Sequence, residues 1–299
     1  MRCRLLFFYV FLMFSYSALS QDSTGVLLRL KKHIEILASD SLQGRRAGTE
    51  YEKKAYRYII SEFSKTTLKP YGKNWVHPFS FKDEDSLKKT AYNVIAYLDN
   101  KASKTIVIAA HYDHLGIGGT KSRSYGKKAI HNGADDNASG VAVFLELAKS
   151  LSENNLKNNY LFIAFSAHEE GLFGSKLFMA DYKKLLPDIR LMLNIDMIGR
   201  MDTISKNLSL FTSGLPASID SLAQSYCPQD IYLKIIKENF PESDHSAFKN
   251  KKIPCLFITT GAHEDYHKIT DDAEKINYAG LLKIYDFLQQ LIFDLDNSK

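Results

Sequence analysis

The chain has 299 residues, 45% of them hydrophobic and 24% charged, which is ordinary globular material and suits one large α/β domain. A net charge of +5 is small for this length, and the basic residues are scattered along helical patterns such as Lys31–Lys32 and Lys53–Lys54. Solvated faces explain them better than a nucleic-acid-binding stripe does, so no nucleic-acid partner is expected. Neither a low-complexity tract nor a solenoid-type repeat is present.

In chain order, Arg2 and Arg4 precede an apolar run from Leu5 to Phe14, followed by Ala18-Leu19-Ser20. That run is shorter than the ~20 apolar residues of a transmembrane helix and has the length of a signal-peptide core. Residues 1–20 are therefore expected to be a signal peptide cut before Gln21, with an uncleaved anchor as the competing expectation. The rest, 21–299, is expected to be a single domain, secreted or periplasmic, with no stable membrane association once the leader is gone. Cys227 and Cys255 remain after cleavage. Export permits a disulfide between them, and two free thiols fit equally well. They are too few for a thiolate zinc site, so a metal would have to be held by histidine and carboxylates.

Val26 to Ala38 reads as an amphipathic helix, with Leu27, Leu30, Ile34 and Leu37 on one face. Glu50 to Phe63 is a second, with Tyr51, Ala55, Tyr58 and Ile59. Trp75 to Lys89 reads as an edge excursion. Tyr92–Leu98 and Thr105–Ala110 read as strands, and Gly116–Lys128 as a loop. Ala138–Leu151 is a helix, Tyr160–Phe165 a strand, Leu172–Tyr182 a helix, Leu191–Ile195 and Pro254–Thr259 strands, and Tyr278–Phe293 a closing helix. Near-continuous apolar strands separated by helices predict a three-layer α/β sandwich, with a mixed, mostly parallel central sheet flanked by helices.

Five of these strands or loops end in polar chemistry: His111-Tyr112-Asp113-His114, then Asp135-Asp136-Asn137, His168-Glu169-Glu170, Asp196, and Asp265-Tyr266-His267. Each group has an ordinary explanation. Asp and Asn favour turns and helix N-caps, and paired glutamates suit a helix N-terminus. Asp196 is the hardest to explain that way, because a carboxylate ending an apolar strand needs a partner. Taken together they lie where open α/β sheets build ligand sites, at the carboxyl ends of strands.

A pair of zinc ions sharing one carboxylate needs about five protein ligands. His111, Asp135, Glu170, Asp196 and His267 supply that number and mixture. Glu169 is then left free beside Glu170, in position to act as general base. Asp113, two residues after His111, is placed to accept the other ring N–H of that histidine.

The order His-x-Asp, Asp-Asp, Glu-Glu, Asp, His resembles the co-catalytic zinc aminopeptidase family that includes secreted bacterial leucine aminopeptidases and glutamate carboxypeptidase II. The similar segments are Leu42 to Thr49, Ala110 to Gly116, Gly133 to Gly140, Ala167 to Gly174, Asn194 to Arg200, Ser243-Asp244-His245 and Tyr266-His267. The resemblance implies two zinc ions per chain and hydrolysis of peptide substrates. It implies that Asp135 bridges, that His111 and Asp196 complete one ion and Glu170 and His267 the other, and that Glu169 is the base. It also implies a cis bond at Asp135–Asp136 and a Tyr266 that helps stabilise the oxyanion. Asp244 and His245 match a motif near the site and are not expected to be ligands. No accessory domain is expected between Thr49 and His111, or between Glu170 and His267. The alternatives are a glutaminyl cyclase or a carboxypeptidase on the same scaffold, and a non-catalytic binding ectodomain.

Overall fold

The computed structural model describes residues 23–297; the expected leader lies outside the described residues. Residues 23–37 form helix α1, and Glu50–Phe63 form α2, as predicted. Thr49 starts α2 by accepting the Glu52 backbone N–H on its hydroxyl. The remaining helices are α3 (Gly140–Ser152), α4 (Phe173–Asp181), α5 (Ala217–Tyr226), α6 (His245–Lys249) and α7 (Tyr278–Asn297). The strands are β1 (Lys69–Pro70), β2 (Val76–Lys82), β3 (Lys88–Leu98), β4 (Thr105–His111), β5 (Asn159–Phe165), β6 (Ile189–Ile195), β7 (Asn207–Ser213), β8 (Tyr232–Ile236) and β9 (Cys255–Thr259). The segment expected as an edge excursion is β2, which pairs antiparallel with β3 from Val76↔Val94 to Lys82↔Lys88.

All nine strands join one mixed sheet in the order β1-β3-β5-β4-β6-β9-β7-β8, with β2 also on β3. The centre, β5-β4-β6-β9, is parallel, while β3 and β7 run antiparallel to their inner neighbours. Strands β4, β5 and β9 are buried along their whole length, which is why they read as unbroken apolar runs. Their side chains still alternate between faces. Ile106, Ile108 and Ala110 of β4 pack with Phe162 and Ala164 of β5 under α1, α2, α3, α5 and α7. Val107, Ala109, Leu161, Ile163 and Phe165 pack on the other face against Phe178 of α4 and Phe248 of α6. The result is an α/β sandwich with helices on both faces.

The chain leaves β4 for β5 on one side and later returns to place β6 on the other. That reversal opens a crevice at the carboxyl ends of β4, β5 and β6, and β9 adds its own end beside β6. Cys227 and Cys255 are both free thiols, and Cys255 is buried. Among the described residues no helix is long and apolar enough to cross a membrane.

Candidate metal centre

Four strand ends and one helix entry feed this crevice. His111 is the last residue of β4. His168 and Glu169 lie in the turn after β5, Asp196 directly follows β6, and His267 sits in the loop after β9. Asp136 lies in the segment that leads into α3. Three of these loops hold a non-glycine residue in the left-handed region: Ala167 (φ +53°), Met197 (φ +56°) and His267 (φ +59°). Such backbones cost about 1–3 kcal/mol each and persist where the surroundings dictate them.

Asp136 is at the middle. Its Oδ1 is 3.3 Å from His111 Nε2 and its Oδ2 is 3.2 Å from His267 Nε2. His111 Nε2 also lies 3.2 Å from Asp196 Oδ1, and His267 Nε2 lies 3.4 Å from Glu169 Oε1. Three carboxylates and two imidazole nitrogens thus converge, with Asp136 spanning the two halves.

This arrangement corrects two expectations. Asp135 does not reach the convergence point. Its Oδ1 accepts from the Gly199 N–H (2.6 Å) and the Ser139 hydroxyl (2.9 Å), and its Oδ2 lies 3.1 Å from His263 Nε2. Successive side chains in this turn diverge, so only the second acid faces the crevice. Glu170 likewise points away, accepting from Arg46 Nε at 3.0 Å. Arg46 in turn donates to Glu84 Oε1 at 2.9 Å, on the rim. Glu169, expected to stand free, is the member of its pair that joins the cluster. The cis bond is Asp136–Asn137, one residue later than expected.

Asp113 also differs from its expected role. His111 Nδ1 is closest to the Asp113 backbone carbonyl (3.2 Å), with the carboxylate at 3.9 Å. The Asp113 carboxylate instead accepts the backbone N–H groups of His168 (3.1 Å) and Glu169 (3.2 Å), holding the turn after β5 against the end of β4. Burial pushes its pKa up to about 7 against the pull of His111 and His168. The Tyr266 ring stacks on His267, with ring centroids 3.9 Å apart.

The loop carrying Asp136 is fixed from below. The wholly buried guanidinium of Arg45 donates to the carbonyls of Leu37, Tyr112, Asn132, Gly133 and Asp136. Asp271 accepts the N–H groups of Asp135 and Asp136. Gly133 is left-handed (φ +59°), and a Cβ there would sit 2.3 Å from the Asp136 carbonyl and 2.5 Å from the His114 ring. No larger residue fits.

The electrostatics fit a cation. Asp136, Glu169 and Asp196 are 3%, 7% and 8% exposed, and carboxylates packed this closely require positive charge among them. Burial pulls the His111 pKa down, yet Asp196 and Asp136 reverse this and raise it well above its usual value. Burial likewise opposes a proton on His267, and hydrogen bonds to Asp136 and Glu169 raise it to about 10. Burial would raise Asp136, but the same two imidazoles hold it well below the usual range. The acids thus recruit protons onto imidazoles whose nitrogens are ordinary metal donors. The N/O donor set, free of thiolate, matches what zinc accepts at hydrolytic sites.

Two neighbouring histidines were seen in the sequence without a role. His114 Nδ1 lies 3.0 Å from Glu169 Oε1, and its Nε2 is buried without a partner. An unpaired lone pair is less costly than an unpaired N–H, so His114 carries its proton on Nδ1 and steadies Glu169. His168 stacks parallel on His111, with centroids 3.7 Å apart, and its Nδ1 is 2.9 Å from Asp244 Oδ2. His111, His168 and Asp196 present ligand-type atoms all within 4.8 Å of one another. A histidine at a strand end beside paired acids was a usable signal. Its partner Asp244, 76 residues later, was legible as part of a motif near the site but not as the partner of His168.

Residues 93–292, about two thirds of the chain, match the pattern of peptidase family M28. The chain belongs to peptidase family M28. It is 26% identical over 223 residues to leucine aminopeptidase 1 of Paracoccidioides brasiliensis (strain Pb03), covering 68% of this chain and 55% of that one. With the leucine aminopeptidase 1 of Grosmannia clavigera it shares 26% over 271 residues, covering 81% and 60%. This M28 chain thus spans little more than half the length of these relatives. Two solved structures share its fold. The zinc aminopeptidase BSAP from Bacillus subtilis superposes with a TM-score of 0.73 at 18% identity, covering 90% of this chain and 95% of that one. The glutaminyl cyclase of Porphyromonas gingivalis gives a TM-score of 0.73 at 16% identity, covering 90% and 98%.

Proposed function

We propose that this M28 chain is a zinc-dependent aminopeptidase holding two zinc ions, exported through its leader and acting on peptides with a free N-terminus. The observation that carries this is the Asp136 carboxylate placed between His111 and His267, each with its own second acid. His111 and Asp196 would hold one ion, His267 and Glu169 the other, with Asp136 shared. Zinc in such a site polarises the scissile carbonyl and orients the attacking nucleophile.

With Glu169 among the ligands, the proton work falls to His168. Asp244 accepts from His168 Nδ1 at 2.9 Å and so leaves Nε2 as the atom that takes a proton on attack and returns it to the leaving amine. Asp244 is wholly buried and is held low by His168 against its own burial, so its carboxylate stays ionised and orients the ring. The stack on His111 sets the ring plane. Asp113 anchors the turn carrying His168 and Glu169, and Tyr266 stands beside His267 as a hydroxyl donor for the developing oxyanion.

The test is His168→Ala, read by metal content and by turnover of leucine p-nitroanilide. Zinc should stay near two per chain while kcat falls by about 100-fold or more. Unchanged kcat contradicts the role, and loss of one zinc makes His168 a ligand instead. A peptide panel with free, blocked and glutamine N-termini accompanies it. Cleavage confined to free amines is expected, and cyclisation of the glutamine peptide without cleavage contradicts the aminopeptidase reading.

A further inference from the structure

The loop between His114 and His131 stands apart electrostatically. It carries Lys121, Arg123, Lys127 and Lys128, with no Asp or Glu among residues 115–134. All four cationic residues are exposed, and among the described residues none is paired with a carboxylate. Arg46, nearby, is already engaged by Glu84 and Glu170.

The loop is joined directly to the centre. Arg123 donates its backbone N–H to the His267 carbonyl (2.9 Å), and His267 Nδ1 meets the Lys121 carbonyl at 3.1 Å. The Arg123 guanidinium lies 4.7 Å from the centroid of the Tyr266 ring, itself stacked on His267. Glu84 fixes the far side by accepting the Thr120 N–H (2.9 Å) and hydroxyl (2.6 Å). Beneath the loop a cavity of about 600 Å³ is bounded by Arg46, Tyr125, Lys127 and Lys128 and by the acids Glu84 and Asp85. Arg46, Glu84, Gly118 and Gly119 also line a smaller hollow that reaches Lys121 and Glu169. A groove with Lys121, Lys127 and Lys128 along the loop side thus leads out from the acid cluster.

We propose that this loop is a specificity rim that binds a carboxylate on the part of the peptide beyond the scissile bond. This rests on the aminopeptidase reading, in which the N-terminal amine sits at the acid cluster and the remainder of the peptide leaves along the groove. The carboxylate has two sources, an Asp or Glu side chain just after the cut or the C-terminus of a di- or tripeptide. The cations act on binding and not on the chemical step, so they lower KM and leave kcat alone.

The experiment uses four peptides: Leu-Ala-Ala amide, Leu-Glu-Ala amide, Leu-Lys-Ala amide and Leu-Ala-Ala with a free C-terminus. Affinities are titrated calorimetrically on the zinc-loaded His168→Ala chain, and KM and kcat are read on the native chain. At low salt the glutamate peptide should bind roughly 3- to 10-fold tighter than the lysine peptide, and the gap should close in about 0.5 M salt. A matching gain for the free C-terminus over its amide assigns the second source as well. Lys121→Gln/Arg123→Gln should erase the preference, and Lys127→Ser/Lys128→Ser should reduce it without changing turnover of leucine p-nitroanilide. Equal affinity for all four peptides overturns the rim, as does a preference that survives both double variants. Anilide turnover on the native chain reports on the aminopeptidase reading alone, so its absence counts against that reading while the titrations still decide the rim.

Discussion

The chain holds two pairs of adjacent acids near its centre, and both pairs divide. Asp136 and Glu169 face the imidazoles, while Asp135 and Glu170 turn away. The outward members differ in kind. Asp135 is wholly buried and bonded to Gly199 and Ser139, inside the scaffold that carries Asp136. Glu170 meets a partly exposed Arg46 on the rim, where water reaches the guanidinium and Glu84 shares it. Identical letters in sequence therefore have three uses: ligand-type carboxylate, internal strut and surface partner.

That comparison orders the expected effects. Asp136→Asn should be largest, abolishing tight zinc binding and lowering kcat by more than about 1000-fold, as measured by metal analysis and anilide turnover. Asp135→Ala should keep the ligand set but leave the Gly199 N–H unpaired, while Ser139 keeps the Asp135 carbonyl, costing about 1–3 kcal/mol in urea unfolding. Glu170→Gln should cost less than about 1 kcal/mol and change kcat less than twofold. If Asp135→Ala proves as mild as Glu170→Gln, the distinction between strut and rim fails.

The smallest effect is a pH dependence. Hydrogen bonds from Thr120, with Arg46, hold Glu84 down to about 2 from an ordinary 4.5. A depressed acid stabilises the fold above its unfolded pKa, and that contribution is lost as pH falls from about 4.5 toward 2. Because Glu84 is partly exposed, the loss should loosen only its loop, seen as hydrogen-exchange protection at the Thr120 N–H that falls across this window in the native chain and is already absent in a Glu84→Gln control. Equal protection in the two proteins across that window would remove Glu84 as the tether.

Much of the fold was legible because burial is uniform along the central strands. Thr105–Ala110, Tyr160–Phe165, Leu191–Ile195 and Pro254–Thr259 were read within two residues of β4, β5, β6 and β9. Strands β7 and β8, helix α5 and the pairing of β2 were not read. In Asn207–Ser213 and Tyr232–Ile236 burial is broken by exposed or half-exposed positions, which weakens the apolar signal. In the site, His111, Asp196 and His267 were legible as single polar residues at strand ends. Which acid of each adjacent pair faces inward depends on local backbone rotation, which letters do not carry. The His168–Asp244 pair needed tertiary structure, because α6 brings Asp244 back beside the turn after β5.

The central claim is that Asp136 and Glu169, rather than their neighbours, hold the metals. Zinc per folded chain in Asp135→Asn, Asp136→Asn, Glu169→Gln and Glu170→Gln tests it most directly. The account predicts about two zinc ions in the Asp135 and Glu170 variants, fewer than one in the Asp136 variant, and about one in the Glu169 variant. Full zinc in the Asp136 and Glu169 variants, with loss in the other two, would contradict it.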